Sequence, residues 1–259
     1  MCPVIRVFGQ TFSAYLLFGG AACAAFWILF SHALRRDLSG RRRFLLPPAV
    51  ILASLLGARL FHAALHPTRY GPGYPIWTLR FERLYLMGGL ILGAAVLYAV
   101  CHEAKLPFSR ISDDLTPAAG CALVLLKVGC FLNGCCGGKP TTSPFGMVFP
   151  ARAVFYDLMH TPEEARRVWP VQLFECAAYL LGIAALLLFS KKRNLPDGGR
   201  FLLYAAYVSA VRLTLHPLRE AVYPAAWKIL YPALYGALLA ISAVWLILRM
   251  CRRIGPASS

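Results

Sequence analysis

An apolar run near the middle of the chain ends in the stretch KVGCFLNGCCGGKPTTSPFG, residues 127–146. The stretch starts with a lysine inside apolar sequence and includes three cysteines, an asparagine and five glycines. A charge in an apolar run of membrane-spanning length is costly unless it faces a partner or a cavity. The stretch therefore indicates a membrane helix whose end contributes to a polar site.

The rest of the chain has the composition of an integral membrane protein. It has 259 residues, is 59% hydrophobic and has a mean hydropathy of +0.60, whereas soluble domains are about half apolar. Seven apolar runs are close to the roughly 20 residues that cross a bilayer as a helix. They lie at about 11–34, 45–65, 84–101, 114–132, 170–190, 200–218 and 229–249.

These runs predict an all-α, polytopic membrane protein with about seven transmembrane helices. We expect residues 1–259 to form a single transmembrane domain, with residues 134–169 as an outer loop or cap that includes a short helix near 151–160. No cleavable signal peptide is evident, because the first residues lack a basic start followed by a small-residue cleavage site.

The net charge of +16 is distributed by membrane rules and not as in a nucleic-acid binder. Basic clusters follow the first, third, fifth and seventh runs, so all of them fall on one side of the membrane. The clusters are Arg35, Arg36, Arg41, Arg42 and Arg43; Lys105 and Arg110; Lys191, Lys192 and Arg193; and Arg249, Arg252 and Arg253. The positive-inside rule makes that side cytoplasmic, which predicts an outside N-terminus and a cytoplasmic C-terminus.

Polar residues in the apolar runs share one predicted depth. In this orientation the outer halves of the spans hold Tyr15, Arg59, Gly88, Gly89, Lys127, Gln172, Glu175 and Arg212. Snorkelling to the interface or a structural ion pair explains a single charge, but it does not explain Gln172 or the glycines. The pattern favours a shared polar cavity that opens to the outer leaflet.

The sixth run adds a second basic pattern. Arg212, His216 and Arg219 are spaced i, i+4 and i+7, so they share one helix face, and Pro217 should kink or end the helix. Two guanidiniums beside an imidazole suit an anion clamp with a titratable group. A basic belt that touches lipid headgroups nonspecifically has the same spacing, so the pattern alone leaves both interpretations open.

The glycines after the fourth run suggest a ligand loop. Asn133 and Gly134 should end the helix and supply the turn. Gly137 and Gly138 would free backbone amides for close approach to a ligand oxygen. Lys127 lies one turn before Cys130 and about two turns before Gly134, so it should face the same cavity if the helix persists.

The cysteines of this stretch have several interpretations. Cys130, Cys135 and Cys136 lack a clear fourth ligand in paired spacing, so we expect no metal site. A disulfide from Cys130 to one of the adjacent pair, a thiol activated by Lys127 or Arg212, and inert packing residues all remain open. The six other cysteines are scattered, which is typical of small packing residues.

Four ordered motifs resemble the prolipoprotein diacylglyceryl transferase family over most of the chain. The family signature Gly-Arg-x-Gly-Asn-Phe-x-Asn-Gly-Glu is similar to LKVGCFLNGC at 126–135, and His-Pro-x-Gln-Leu-Tyr-Glu is similar to WPVQLFE at 169–175. Arg-x-x-x-Glu-x-x-Arg resembles RLTLHPLR at 212–219, and His-Gly-Gly-Leu resembles MGGL at 87–90. Tyr15 matches the tyrosine of the family's first span.

Several positions depart from the family pattern. Lysine replaces the signature arginine at Lys127, and a bidentate phosphate contact becomes a point charge. Cysteines replace an asparagine and a glutamate at Cys130 and Cys135, Met87 replaces a histidine, and His216 replaces the late glutamate. The chain resembles a divergent, cysteine-rich branch of the family.

The resemblance implies a seven-span bacterial plasma-membrane enzyme that moves a diacylglyceryl group from phosphatidylglycerol to a prolipoprotein cysteine, without a cofactor. For this reaction we assign Arg212, Lys127 and His216 as catalytic residues, with His216 as the base and with Arg212, Arg219 and Lys127 on the phosphate. The implied substrate-binding residues are Tyr15, Gly88, Gly89, Asn133, Gly134, Gly137, Gly138, Gln172, Glu175 and Arg219. Anionic phospholipid and a prolipoprotein are the expected partners, and nucleic acid is not.

Two further functions are compatible with the same residues. A homologue that lost the transfer reaction could use Cys130, Cys135 and Cys136 for redox or metal chemistry. A third option is a protein that binds anionic lipid without catalysis.

Overall fold

A computed structural model of the chain describes residues 4–7, 10–71, 75–76, 84–149, 167–192, 194–220 and 225–254. Within these residues the secondary structure is helical apart from two short antiparallel pairs of strands. The helices are α1 Ala14–Ala33, α2 Gly40–Leu65, α3 Leu86–Glu103, α4 Phe108–Asn133, α5 Val171–Lys192, α6 Gly199–Leu215 and α7 Ala225–Ile254. The strands are β1 Val4–Val7, β2 Gln10–Ser13, β3 Met147–Val148 and β4 Arg167–Val168.

Seven helices in the described part of the chain are long and apolar enough to cross a bilayer, which confirms the predicted number of spans. Large apolar side chains point outward along them, with Leu52, Ile91 and Leu181 more than half exposed. Such faces suit contact with lipid, because apolar side chains are favourable next to the hydrocarbon of a bilayer and unfavourable in water. The orientation across the membrane stays a prediction, and the helix expected near 151–160 lies outside the described residues.

The chain divides into two compact units, and the boundaries fall within α1 and α4. One unit is Cys23–Ala118, and the other combines Met1–Ala22 with Ala119–Ser259. The interpretation as one transmembrane domain stays a prediction.

In the unit Cys23–Ala118, α2 and α3 pack at very close range through glycines. A Cβ added to Gly88 would collide with the carbonyl of Gly57 and with Phe61, and one added to Gly89 would lie 2.9 Å from the carbonyl oxygen of Ser54. Small residues allow this approach in membrane helices. Helix packing is therefore one reason for Gly88 and Gly89, and their contact with a ligand stays a prediction.

In the other unit, α4 ends as expected at Asn133. Gly134 has a φ of +69° and Cys136 a φ of +60°, so the chain turns sharply back after the helix. The segment that follows pairs with two others: the Gly138 amide donates to the carbonyl of Trp169 at 2.9 Å, and the Lys139 amide donates to that of Leu218 at 2.8 Å. This pairing holds the cysteine loop against the ends of α5 and α6.

Candidate anion-binding site

A single carboxylate joins three cations in the unit that holds the ends of α4, α5 and α6. Glu175 Oε2 lies 2.5 Å from Lys127 Nζ, and Glu175 Oε1 lies 2.6 Å from Nη1 of both Arg212 and Arg219. We call these four residues the charge cluster. The sequence placed Lys127, Glu175 and Arg212 in the outer halves of the spans and Arg219 seven residues after Arg212, and the structure brings the four into direct contact.

The charge cluster is buried and carries an excess of positive charge. The side chains of Glu175, Arg212, Lys127 and Arg219 are 1%, 6%, 10% and 13% exposed. Three cations and one carboxylate leave a formal charge of +2 in a weakly screened environment, where charge interactions are strong. The sum over these four residues is positive, which suits an anionic ligand.

Two tyrosines of α7 complete the surroundings of Arg212. Its Nε donates to the Tyr235 hydroxyl at 3.2 Å and its Nη2 to the Tyr231 hydroxyl at 3.5 Å, while the hydroxyls are 3.3 Å apart. Sequence reasoning missed both, since tyrosines in an apolar span resemble packing residues. Their i, i+4 spacing around Pro232 was the available signal.

His216 lies in the short 3₁₀ turn that follows α6, so Pro217 marks the end of that helix as predicted. With Arg212, Arg219, Tyr231, Pro232 and Tyr235 it lines a small pocket beside the charge cluster. The imidazole is partly exposed and has no hydrogen-bond partner among the described residues. It is therefore free to exchange a proton with a ligand.

Gln172 is completely buried and points a polar atom into this region. Its Nε2 donates to the carbonyl of Cys135 at 2.5 Å, whereas its Oε1 is buried without a hydrogen-bond partner in the described part of the chain. A buried acceptor without a donor is destabilising by about 1–3 kcal/mol. A ligand hydroxyl or a water that donates to Oε1 would remove this penalty.

Tyr15 lies against α4 at Gly129. A Cβ added to Gly129 would lie 3.6 Å from the Tyr15 ring and 2.8 Å from Cβ of Phe18, so only glycine permits this packing. The phenol also interacts electrostatically with the three thiols of the opening stretch. Asn133 and Gly134 form the end of α4, which places them beside the same thiols.

The thiols of Cys130, Cys135 and Cys136 converge, and we call them the thiol cluster. Their sulfur atoms lie within 4.8 Å of one another, and all three are free, so the disulfide interpretation is not realised in the structure. Hydrogen bonds from the Cys130 and Cys135 thiols lower the pKa of Cys136, and the charges of Lys127 and Arg219 lower it further.

The glycine loop differs from the expectation in one respect. Gly138 donates its amide to Trp169, and an added Cβ would lie 2.6 Å from the carbonyl oxygens of Leu218 and Trp169. This amide is therefore not available to a ligand, and the interpretation of Gly138 as an amide donor is corrected. Gly137 is buried beside it, and its ligand role stays a prediction.

Comparison of the sequence with known protein families identifies the family of this chain. The sequence profile described as prolipoprotein diacylglyceryl transferase matches residues 3–250. The chain belongs to this family. Its seven candidate spans agree with a family of multi-pass membrane proteins.

Individual transferases of the family are distant relatives. The phosphatidylglycerol–prolipoprotein diacylglyceryl transferase of Nitratidesulfovibrio vulgaris is 31% identical over 66% of this chain and 62% of that protein. The enzyme of Cutibacterium acnes is 27% identical over 65% of this chain and 57% of that protein, and that of Tropheryma whipplei 27% over 74% and 72%. The chain thus spans about three fifths of the length of the first two.

Several residues in and around the charge cluster differ from the signature of the transferase family. Lys127 stands where the signature has arginine, yet it still contacts Glu175. Two of the three thiols stand where the signature has asparagine and glutamate. Lys127 thus keeps a cation on the carboxylate, and two further departures from the signature fall within the thiol cluster.

Proposed function

We propose that this protein transfers a diacylglyceryl group from phosphatidylglycerol to the cysteine thiol of a prolipoprotein in the bacterial plasma membrane. The observation that carries the proposal is the buried charge cluster, in which one carboxylate holds three cations together beside a pocket that Arg212 and Arg219 line. Family membership supports the reaction class. The orientation with the cluster in the outer half of the membrane is part of the proposal.

The net charge of the cluster suits the leaving group better than the substrate. A phosphodiester carries one negative charge, whereas glycerol phosphate released by cleavage of the carbon–oxygen bond carries close to two. A cluster of +2 is matched by the product and by the charge that develops in the transition state. Interactions that strengthen toward the transition state are those that accelerate a reaction.

The reaction then needs one proton transfer and one displacement. The thiolate of the acceptor forms a carbon–sulfur bond to the glyceryl carbon as the carbon–oxygen bond to phosphate breaks. His216 takes the thiol proton, since a neutral imidazole is a general base near neutral pH. Arg212, Arg219 and Lys127 hold the phosphate oxygens of the departing glycerol phosphate.

Polar groups around the cluster suit the glycerol headgroup. The unpartnered Oε1 of Gln172 accepts a hydrogen bond from a headgroup hydroxyl. Tyr15, Asn133, Gly134 and Gly137 flank the same end of α4 and orient the lipid there. Glu175 acts as a positioning residue, because its oxygens are occupied by the three cations.

The test is a reconstituted transfer reaction. Full-length protein in nanodiscs with phosphatidylglycerol is given a synthetic prolipoprotein peptide, and glycerol phosphate release and the mass gain of the peptide are measured together. We expect both products in equal amount. Arg212→Gln should reduce the rate about 10²-fold or more, as loss of one oxyanion donor does, while Glu175 keeps two cationic partners.

Matched variants separate chemistry from folding. Lys191→Gln removes a charge from the exposed end of α5 and should leave the rate unchanged. His216→Gln should lower the rate 10²-fold or more through loss of the base, whereas His102→Gln on α3 should not. Retention of phosphatidylglycerol without any product would contradict the transferase and favour lipid binding alone.

A further inference from the structure

The thiol cluster is a second site that the transfer reaction does not use. Cys130 comes from the last turn of α4, and Cys135 and Cys136 follow the turn at Gly134. The left-handed backbone at Cys136, with a φ of +60°, is uncommon for a side chain other than glycine, asparagine or aspartate. This turn directs a third sulfur toward the other two, so three nucleophilic atoms converge.

The spacing of the sulfur atoms fits one metal ion. A thiolate binds a first-row metal at about 2.3 Å, which puts three thiolates around one ion about 4 Å apart. The three sulfurs here all lie within 4.8 Å of one another. Small side-chain rotations therefore complete a trigonal set without movement of the backbone.

The ligand set is soft and has three members. Among the described residues the group contains only Cys130, Cys135 and Cys136, and the nearby Glu175 is already engaged by three cations. Zinc would need a water or another fourth ligand beside the three thiolates, whereas three soft thiolates alone complete a trigonal set for Cu(I).

The electrostatic surroundings match the same ion. Three thiolates with one monovalent cation carry a formal charge of −2, and the adjacent charge cluster carries +2. Lys127 lies one turn before Cys130 on α4, and the backbone of Arg219 pairs with Gly138, two residues after Cys136. A divalent ion would leave the thiol site at −1 and an open coordination position.

We infer that Cys130, Cys135 and Cys136 bind one Cu(I) ion in a three-thiolate site beside the charge cluster. Binding forms three copper–sulfur bonds and releases the three thiol protons, with no change of oxidation state. The site is additional to the proposed transfer reaction, and it departs from the expectation drawn from the spacing of the cysteines.

The experiment titrates full-length protein in detergent with Cu(I), under reductant and without oxygen, against a chromophoric Cu(I) chelator. We expect one ion per chain and protection of Cys136 from alkylation, with exposed Cys251 as an internal reference. Cys130→Ser, Cys135→Ser and Cys136→Ser should each weaken the affinity for Cu(I) at least about tenfold. Loss of even an outer-shell partner of a metal ligand costs this much. Cys121→Ser, a substitution on the same helix outside the group, should leave affinity unchanged.

This experiment does not depend on transferase activity, because it measures the binding of Cu(I) to the protein. Absence of stoichiometric binding, equal affinity in the three serine variants and wild type, or displacement of Cu(I) by equimolar Zn(II) would each overturn the inference. Thermal unfolding of every variant without metal shows whether the fold is retained. A variant that does not fold is replaced by alanine at the same position.

Discussion

The backbone of Gly138 pairs with that of Arg219 as an antiparallel bridge. The loop that carries the thiol cluster is thereby joined to a cation of the charge cluster. Any change that separates the segment at Gly138 from the segment at Arg219 should disturb both clusters.

Substitution of Gly138 tests this connection. In Gly138→Ala the new methyl would lie 2.6 Å from the carbonyl oxygens of Leu218 and Trp169, so the paired segments must move apart. We expect a loss of about 1–3 kcal/mol in the free energy of unfolding, as for other overpacked sites. Gly236→Ala on α7 has open space around it and is the control. Equal unfolding temperatures for both variants would contradict the tight approach.

Neutralisation of Glu175 tests the charge balance. Glu175→Gln leaves three buried cations without a carboxylate, and breaking a buried ion pair is destabilising by about 3–5 kcal/mol. The local charge rises to +3, so inorganic phosphate should bind more tightly and raise the unfolding temperature more than in the wild type. Unfolding in detergent with and without phosphate measures both effects. The idea fails if phosphate stabilises the variant less than the wild type.

The lysine of the signature segment tests how far the site has diverged. Lys127→Arg restores a planar group with several donors while it keeps the charge. An added charge-assisted hydrogen bond contributes about 1.5–3 kcal/mol, so we expect glycerol phosphate release to rise about 10- to 150-fold. Lys139→Arg in the exposed loop is the control. Loss of activity in Lys127→Arg alone would indicate that the lysine has acquired a role of its own.

Thiol labelling tests the arrangement of the thiol cluster without metal. Cys136 is exposed, Cys135 is partly buried, and Cys130 is 7% exposed. A small maleimide should therefore modify Cys136 first and Cys130 last in reduced, metal-free protein. Mass spectrometry of peptides over time gives the order. Early modification of Cys130 would show that the end of α4 is more open than in the structure.

The sequence predicted the membrane helices well, because a bilayer imposes a minimum apolar length that can be read directly. It also predicted the end of α4, since Asn133 and Gly134 are local signals of a helix terminus. The spacing of Arg212 and Arg219 suggested one helix face, whereas α6 ends at Leu215 and Arg219 follows the 3₁₀ turn in extended backbone. These features depend on residues that are close together in the chain.

Features that depend on distant residues were harder to predict. Glu175 was assigned to substrate, but its three partners come from elements far apart in sequence. Gly88 and Gly89 were assigned to a ligand, although the small-xxx-small spacing of Gly89 and Gly93 is a sign of helix contact. The convergence of the thiols depends on a backbone turn that the cysteine spacing alone does not specify.

The charge cluster also constrains how the protein is assembled during synthesis. Lys127 enters the membrane before Glu175 has been translated, and Arg212 and Arg219 follow only with later spans. Each charge alone opposes insertion by about 2.5–3.5 kcal/mol at the bilayer centre, and the span that carries Arg212 has the lowest mean hydropathy of the seven, 1.2. Stable integration of the fourth and sixth spans therefore depends on their neighbours. A nascent chain that ends before residue 175 should leave its fourth span accessible to degradation. Longer chains that include Glu175 should protect this span.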